Sequence, residues 1–286
     1  LASVLQAAVA TSSWHPALRT IITTLIPKHS KANIFQQPDK FRPISVASMP
    51  YRLWSKVMTK RLSVQFEMYL CQLEFGTGNK SEPTVPQPRQ APPSQTGPDK
   101  QQLVSLHQVV HGFRAGDSAQ ITHTLTIMRN QTAAVKCLAR FMSSYDLCRA
   151  FDSIRWVTAS RVMRKFGVSR QTRKAFLAQW REVKRYWKLQ GRLSPAESPA
   201  KNGLYQGDPS APQVLNLTLL PLLIDLCRSC PAVLVSIFAD DLWLESEDAG
   251  QFELAHKKVV GFFQAMGLQV SRDKSCWSAT VPLASI

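Results

Sequence analysis

Val233-Leu-Val-Ser-Ile-Phe-Ala-Asp240-Asp241-Leu-Trp-Leu244 is the stretch on which the reading of this chain turns. A run so rich in Val, Ile and Phe reads as a buried strand. Two adjacent carboxylates at its end repel each other and resist ionisation unless a cation neutralises them. Magnesium takes oxygen ligands, commonly one or two carboxylates together with substrate phosphates. The stretch therefore asks for a metal and a phosphate-bearing substrate. Taken alone, an Asp-Asp pair is more often a solvated turn, so other segments have to support it.

The best third carboxylate lies upstream, in Phe141-Met-Ser-Ser-Tyr-Asp146-Leu-Cys-Arg-Ala-Phe151-Asp152. Asp146 again ends a stretch that reads as a strand. Carboxylates from two strand ends can converge on a pair of ions ~3.5–4 Å apart, the geometry that activates an attacking oxygen and steadies a leaving one in phosphoryl transfer. Asp152, past the strand end, is a weaker candidate.

Charge supports the same direction. The net charge is +16 over 286 residues, and its distribution is lopsided. Thirteen Lys and Arg stand against two acids between Arg149 and Arg192, and nine against one between His15 and Leu62. From Gly207 onward, nine acids face five bases. A basic surface beside an acidic, metal-seeking site suits a protein that processes a polyanion. The six cysteines show no repeated spacing, and Cys227-Arg-Ser-Cys230 lacks the second half of a zinc site. His107 and His111 lack a nearby third ligand. A reducing, intracellular setting is expected, nuclear or cytoplasmic. No secretory signal or membrane span is read, since the most apolar stretch is short and carries Pro221 and Asp225.

Along the chain, residues 1–70 read as mostly helical with one strand at 20–26 and a helix at 51–69. Six prolines fall within 82–98, a composition that builds no core and reads as a disordered insert. Basic helices are expected across 156–188, a Gly- and Pro-rich loop at 203–212, and an apolar helix at 214–227. The acidic hairpin follows, then a helix at 252–266 capped by Gly267, and short strands at 268–270 and 276–277. Strands interleaved with helices predict an α+β fold.

Seven blocks, in order, now make the chain resemble the reverse transcriptase family, especially its non-LTR retrotransposon and group II intron branch. They are Leu25-Ile-Pro-Lys28, Phe41-Arg42-Pro-Ile-Ser45, His111-Gly-Phe-Arg-Ala-Gly-Asp-Ser118, Tyr145-Asp146-Leu-Cys-Arg-Ala-Phe151-Asp152, Gly203-Leu-Tyr-Gln206-Gly207-Asp-Pro209, Phe238-Ala-Asp240-Asp241 and Gly267-Leu-Gln-Val-Ser-Arg-Asp-Lys274. The resemblance implies a right-hand polymerase fold. Residues 1–140 would form the fingers, with the Pro-rich insert at 82–98. Residues 141–286 would form the palm, a ferredoxin-like sheet with flanking helices, and the thumb would be absent or incomplete. It also implies roles. Asp146, Asp240, Asp241 and the Leu147 carbonyl would hold two Mg2+ ions. Lys28 and Arg42 would meet the incoming triphosphate, Phe151 would exclude a ribose 2′-hydroxyl, and Gln206 and Gly207 would position nucleotide and template. Lys274 would supply charge or a proton to the departing pyrophosphate. RNA template, DNA primer and dNTPs would be the partners.

The expected activity is RNA-directed DNA polymerisation. The competing reading is a truncated or decayed copy that only binds nucleic acid. A nucleotide cyclase shares the two-metal logic but leaves the Arg-Pro-Ile-Ser and Gln-Gly-Asp-Pro blocks unexplained. Phe66, Trp180, Tyr186 and Trp187 are candidates for stacking on bases, with burial in the core as the commoner fate of such residues.

Overall fold

Two sheets organise the chain, and each is explained by where its side chains can hide. In this computed structural model, which describes residues 2–28, 40–75, 119–136, 138–198 and 200–280, Thr20–Pro27 (β1) and Phe41–Ala47 (β2) pair antiparallel. Residues 1–70 thus hold two strands, not the single one expected. Pro43 hid the second from a sequence reading, but β2 lies at a sheet edge, where a missing N–H costs no ladder bond. Helices Ala2–Thr11 (α1) and Met49–Phe75 (α2) precede and follow these strands in the chain and pack on each other. Trp14 packs edge-on against Tyr51 and Trp54, and its indole N–H donates to the Ala175 carbonyl at 2.9 Å.

After Ala119–Val135 (α3) comes Phe141–Cys148 (β3), then the one-turn helix Ala150–Ser153 (α4). The basic region expected to be helical over 156–188 is only partly so. Trp156–Lys165 (α5) and Arg170–Glu182 (α6) are helices, with the Ser169 hydroxyl accepting from Thr172 N–H at the start of α6. Lys184–Leu189 (β4) is instead a strand, followed by Arg192–Leu193 (β5). Tyr186 and Trp187 favour extended backbone, and β4 is claimed by β1, to which it pairs in parallel. The first sheet runs β2-β1-β4-β5, so its pairing crosses the sequence division at residue 140.

Ala211–Ser229 (α7) is longer than the apolar run that predicts it, and Leu215, Leu219, Leu220 and Leu226 on it are fully buried. Each such side chain contributes roughly 1.5–3 kcal/mol through burial. Val233–Phe238 (β6) and Asp241–Ser246 (β7) form the expected hairpin. Ala249–Met266 (α8) follows, capped by Gly267, and then Gln269–Val270 (β8) and Cys276–Ala279 (β9). The second sheet runs β6-β7-β3, and β8 and β9 share the other edge of β3. Helices α7 and α8 pack on β6 and on each other. The Pro-rich stretch 82–98, the two histidines at 107 and 111, and the block 111–118 lie outside the described residues. No described helix is long and apolar enough to cross a membrane.

Candidate active site

Strand parity builds the site. Along β3 burial alternates, with Phe141, Ser143, Tyr145 and Leu147 turned inward and Asp146 on the half-open face. Asp146 is paired directly with Asp241, the first residue of β7. Like charges opposed across a ladder are destabilising, so this register carries a cost that packing alone would not select. Asp240 sits in the tight turn between β6 and β7. Ala239 beside it adopts φ 59°, a left-handed conformation usually left to glycine. The hairpin is thus held in a strained turn where it presents its acids.

The three carboxylates act on one another. Burial pushes the Asp241 carboxyl up to about 6, and the charges of Asp240 and Asp146 add to the rise. Asp240 is raised as well, by burial first and then by Asp146, while its own backbone N–H, Lys274 and Arg42 pull the other way. The Lys274 ammonium stands 3.2 Å from Asp146 Oδ2, on the turn between β8 and β9. Ser275 Oγ accepts from the Asp146 N–H at 3.1 Å. Among the described residues, no three such side chains have closed around a common point as a preformed metal cluster. They are hard oxygen donors whose charges oppose one another, a donor set that suits a divalent cation.

A second group of predicted residues meets around α4. The Leu204 N–H donates to the Phe151 carbonyl at 2.7 Å and Gly203 N–H to Ile154 at 2.9 Å, so the 203–209 loop lies along the turn after β3. Half-buried Phe151 packs on the core. Gln206 accepts from the Ser45 N–H at 2.6 Å through its carbonyl, while its side chain donates to Asp152 at 3.4 Å. Gly207 has φ 109°, and a Cβ there would stand 2.5 Å from the Ser45 carbonyl oxygen, so only glycine lets loop and β2 approach this closely. Arg42, three residues before Ser45 on the same strand, supplies the link to Asp240 by its charge.

Other predicted residues fall as follows. Leu147 is buried, with its backbone paired to Val270. Lys28 is exposed just past β1, its N–H on the Lys40 carbonyl at 2.9 Å. Phe66 and Trp180 are core residues rather than stacking platforms. Trp187 lies under the Arg185 guanidinium, which also covers Tyr205 at 4.9 Å.

Sequence reasoning missed the role of Asp208 and the partners of Asp152. Asp208 is buried and accepts from Tyr51 Oη at 2.6 Å, from the Ser55 hydroxyl, and from Ser210 N–H and Oγ at 3.0 and 2.9 Å. It ties α2 to the start of α7. Asp152 is raised by burial and held down by Arg185, Arg149 and Gln206. Tyr51 and Ser55 lie far from Asp208 in sequence, as Arg185 and Gln206 do from Asp152, so local pattern does not announce these links.

A model of the family described as reverse transcriptase (RNA-dependent DNA polymerase) matches residues 26–282. The Pol polyprotein of the type-1 retrotransposable element R2 from Popillia japonica is 22% identical over 262 residues, covering 88% of this chain and 31% of its own length. Telomerase from Candida albicans, solved with a fragment of telomeric RNA, superposes with a TM-score of 0.60 at 14% identity, over 91% of this chain and 43% of that one. Apo telomerase from Candida tropicalis, truncated from its C-terminal domain, gives 0.54 at 12% identity, over 93% and 51%. The chain thus spans about a third of the polyprotein and about half or less of the telomerases. With the family model matched over residues 26–282, the chain belongs to the reverse transcriptase family, and its fold is of the fingers-and-palm kind.

Proposed function

We propose that this chain is the catalytic core of an RNA-directed DNA polymerase of a retroelement, extending a primer 3′-hydroxyl with dNTPs on an RNA template. The observation that carries the reading is the pairing of Asp146 with Asp241, next to Asp240, at one end of the palm sheet. Asp146, Asp240, Asp241 and the Leu147 carbonyl would hold two magnesium ions. When bound, such ions lower the pKa of an attacking hydroxyl and neutralise a leaving pyrophosphate.

The chain's own residues do the rest. Arg42, on the strand edge facing the acids, holds the triphosphate through its planar fork, with Lys28 adding charge. Phe151 packs under the sugar and leaves no room for a 2′-hydroxyl. Gln206, held by Ser45 and Asp152, and Gly207, with its open backbone, set nucleotide against template. Lys274 lies on Asp146 and brings positive charge to the departing pyrophosphate.

Primer extension on poly(rA)/oligo(dT) with dTTP and magnesium tests this. Extension by the unaltered chain, its loss in Asp240→Ala and unchanged duplex binding in that variant are the expected results. Equal loss of binding and extension would count against the proposal.

A further inference from the structure

The helices α5 and α6 carry a charge that the polymerase site does not use. Arg161, Arg164 and Lys165 are spaced i, i+3, i+4 on α5, and all three are exposed. On α6, Arg170, Lys174 and Arg181 are exposed and lie within a narrow stripe at 3.6 residues per turn. That stripe runs about 16 Å at the helical rise per residue. Among the described residues none of the six takes part in an ion pair. The nearest acid in sequence, Glu182, is held by Arg19 at 2.9 Å. On α8, by contrast, Lys257 is matched by Glu253 and Lys258 by Asp225.

Position separates this face from the catalytic acids. Helix α5 packs on α6 and on α7, and α7 packs on β6. A layer of helix therefore stands between the basic stripe and the palm sheet. The inner faces of both helices are spoken for, with Trp156, Met163, Phe176 and Trp180 all buried. No aromatic side chain of either helix is exposed. A surface that binds single strands stacks bases on aromatic rings. A surface with cations and no rings can recognise only the sugar-phosphate backbone, and it does so best where two strands present phosphates at fixed spacing.

From this we infer that the outer face of α5 and α6 is a second nucleic-acid-binding surface, separate from the polymerase cleft, which grips the backbone of a duplex. It keeps a double-stranded segment against the back of the palm while the cleft works elsewhere.

The test compares two variants of the full chain with equal loss of charge. One is Arg170→Gln/Lys174→Gln/Arg181→Gln on α6; the other is Arg228→Gln/Lys257→Gln/Lys258→Gln. Gln keeps helix propensity close to that of Lys and Arg, and matching circular-dichroism melts verify that both fold. The probe is a blunt DNA duplex two turns long, titrated over a range of salt, beside a single strand of oligo(dT). The α6 variant should bind the duplex about tenfold more weakly and lose roughly 2–3 from the salt slope, at about 0.9 per phosphate contact. The control variant should change little, and oligo(dT) binding should fall less than duplex binding in the α6 variant. Equal effects of the two variants on the duplex would overturn the inference, since net charge alone would explain them. An equal loss of oligo(dT) and duplex binding would overturn it too. The readout is binding, so it stands apart from whether Asp240→Ala abolishes extension.

Discussion

At the scale of single residues, Asp241 and Ala239 give the sharpest expectations. The folded chain holds the Asp241 carboxyl at about 6 against an ordinary 3.8. For an acid raised on folding, the native state keeps its proton longer, so stability falls as pH rises from about 4 to 6 and the cost is full above 6. In metal-free buffer, Asp241→Asn should therefore raise the melting temperature at pH 8 and leave it unchanged at pH 4. The carboxyl is half exposed and screened by solvent, so the gain is on the order of 1 kcal/mol, a few degrees. Equal gains at both pH values would refute this cause. Ala239→Gly relieves a left-handed Ala and should stabilise the fold by about 0.5–1 kcal/mol. A lower urea midpoint for that variant would mean the turn is not strained. Gly207→Ala meets both the 109° φ and the Ser45 carbonyl. It should cost roughly 2 kcal/mol or more in urea denaturation.

Among the elements, Asp208 joins α2 to α7. Tyr51→Phe removes one bond to a buried carboxylate, with an expected loss of about 1.5–3 kcal/mol. Asp208→Ala strands the hydroxyls of Tyr51, Ser55 and Ser210 together and should cost more. Urea midpoints measure both, and an Asp208→Ala loss no larger than that of Tyr51→Phe would show that the hydroxyls find other partners. The same scale separates what was legible in the sequence from what was not. The β6–β7 hairpin, α8 with its Gly267 cap, and the parity that turns Asp146 outward follow from local alternation and helical spacing. Strand β4 does not. Residues 184–188 sit in a basic run that continues two helices, and their main pairing partner, β1, is far away in the chain. The Gln206–Asp152 contact is hidden for the same reason, because its partners are set by tertiary structure rather than by spacing.

The whole molecule carries a net charge of +16, with its basic residues dense between Arg149 and Arg192. Such self-repulsion weakens the compact state, and salt screens it over a Debye length of about 8 Å at 0.15 M. Raising salt from a few millimolar to physiological strength should increase the melting temperature by a few degrees. A decrease would mean that attractive pairs outweigh the repulsion. The parallel pairing of β1 with β4 also sets a timetable for synthesis. When the ribosome has delivered β1, β2 and α2, one edge of β1 still lacks its neighbour, and that neighbour emerges more than a hundred residues later. Until then an unpaired strand edge is open to any other extended chain nearby. The nascent β1–β2 sheet is therefore at its most aggregation-prone midway through translation, and a message cut short before residue 184 yields a product that needs a chaperone rather than a smaller stable domain.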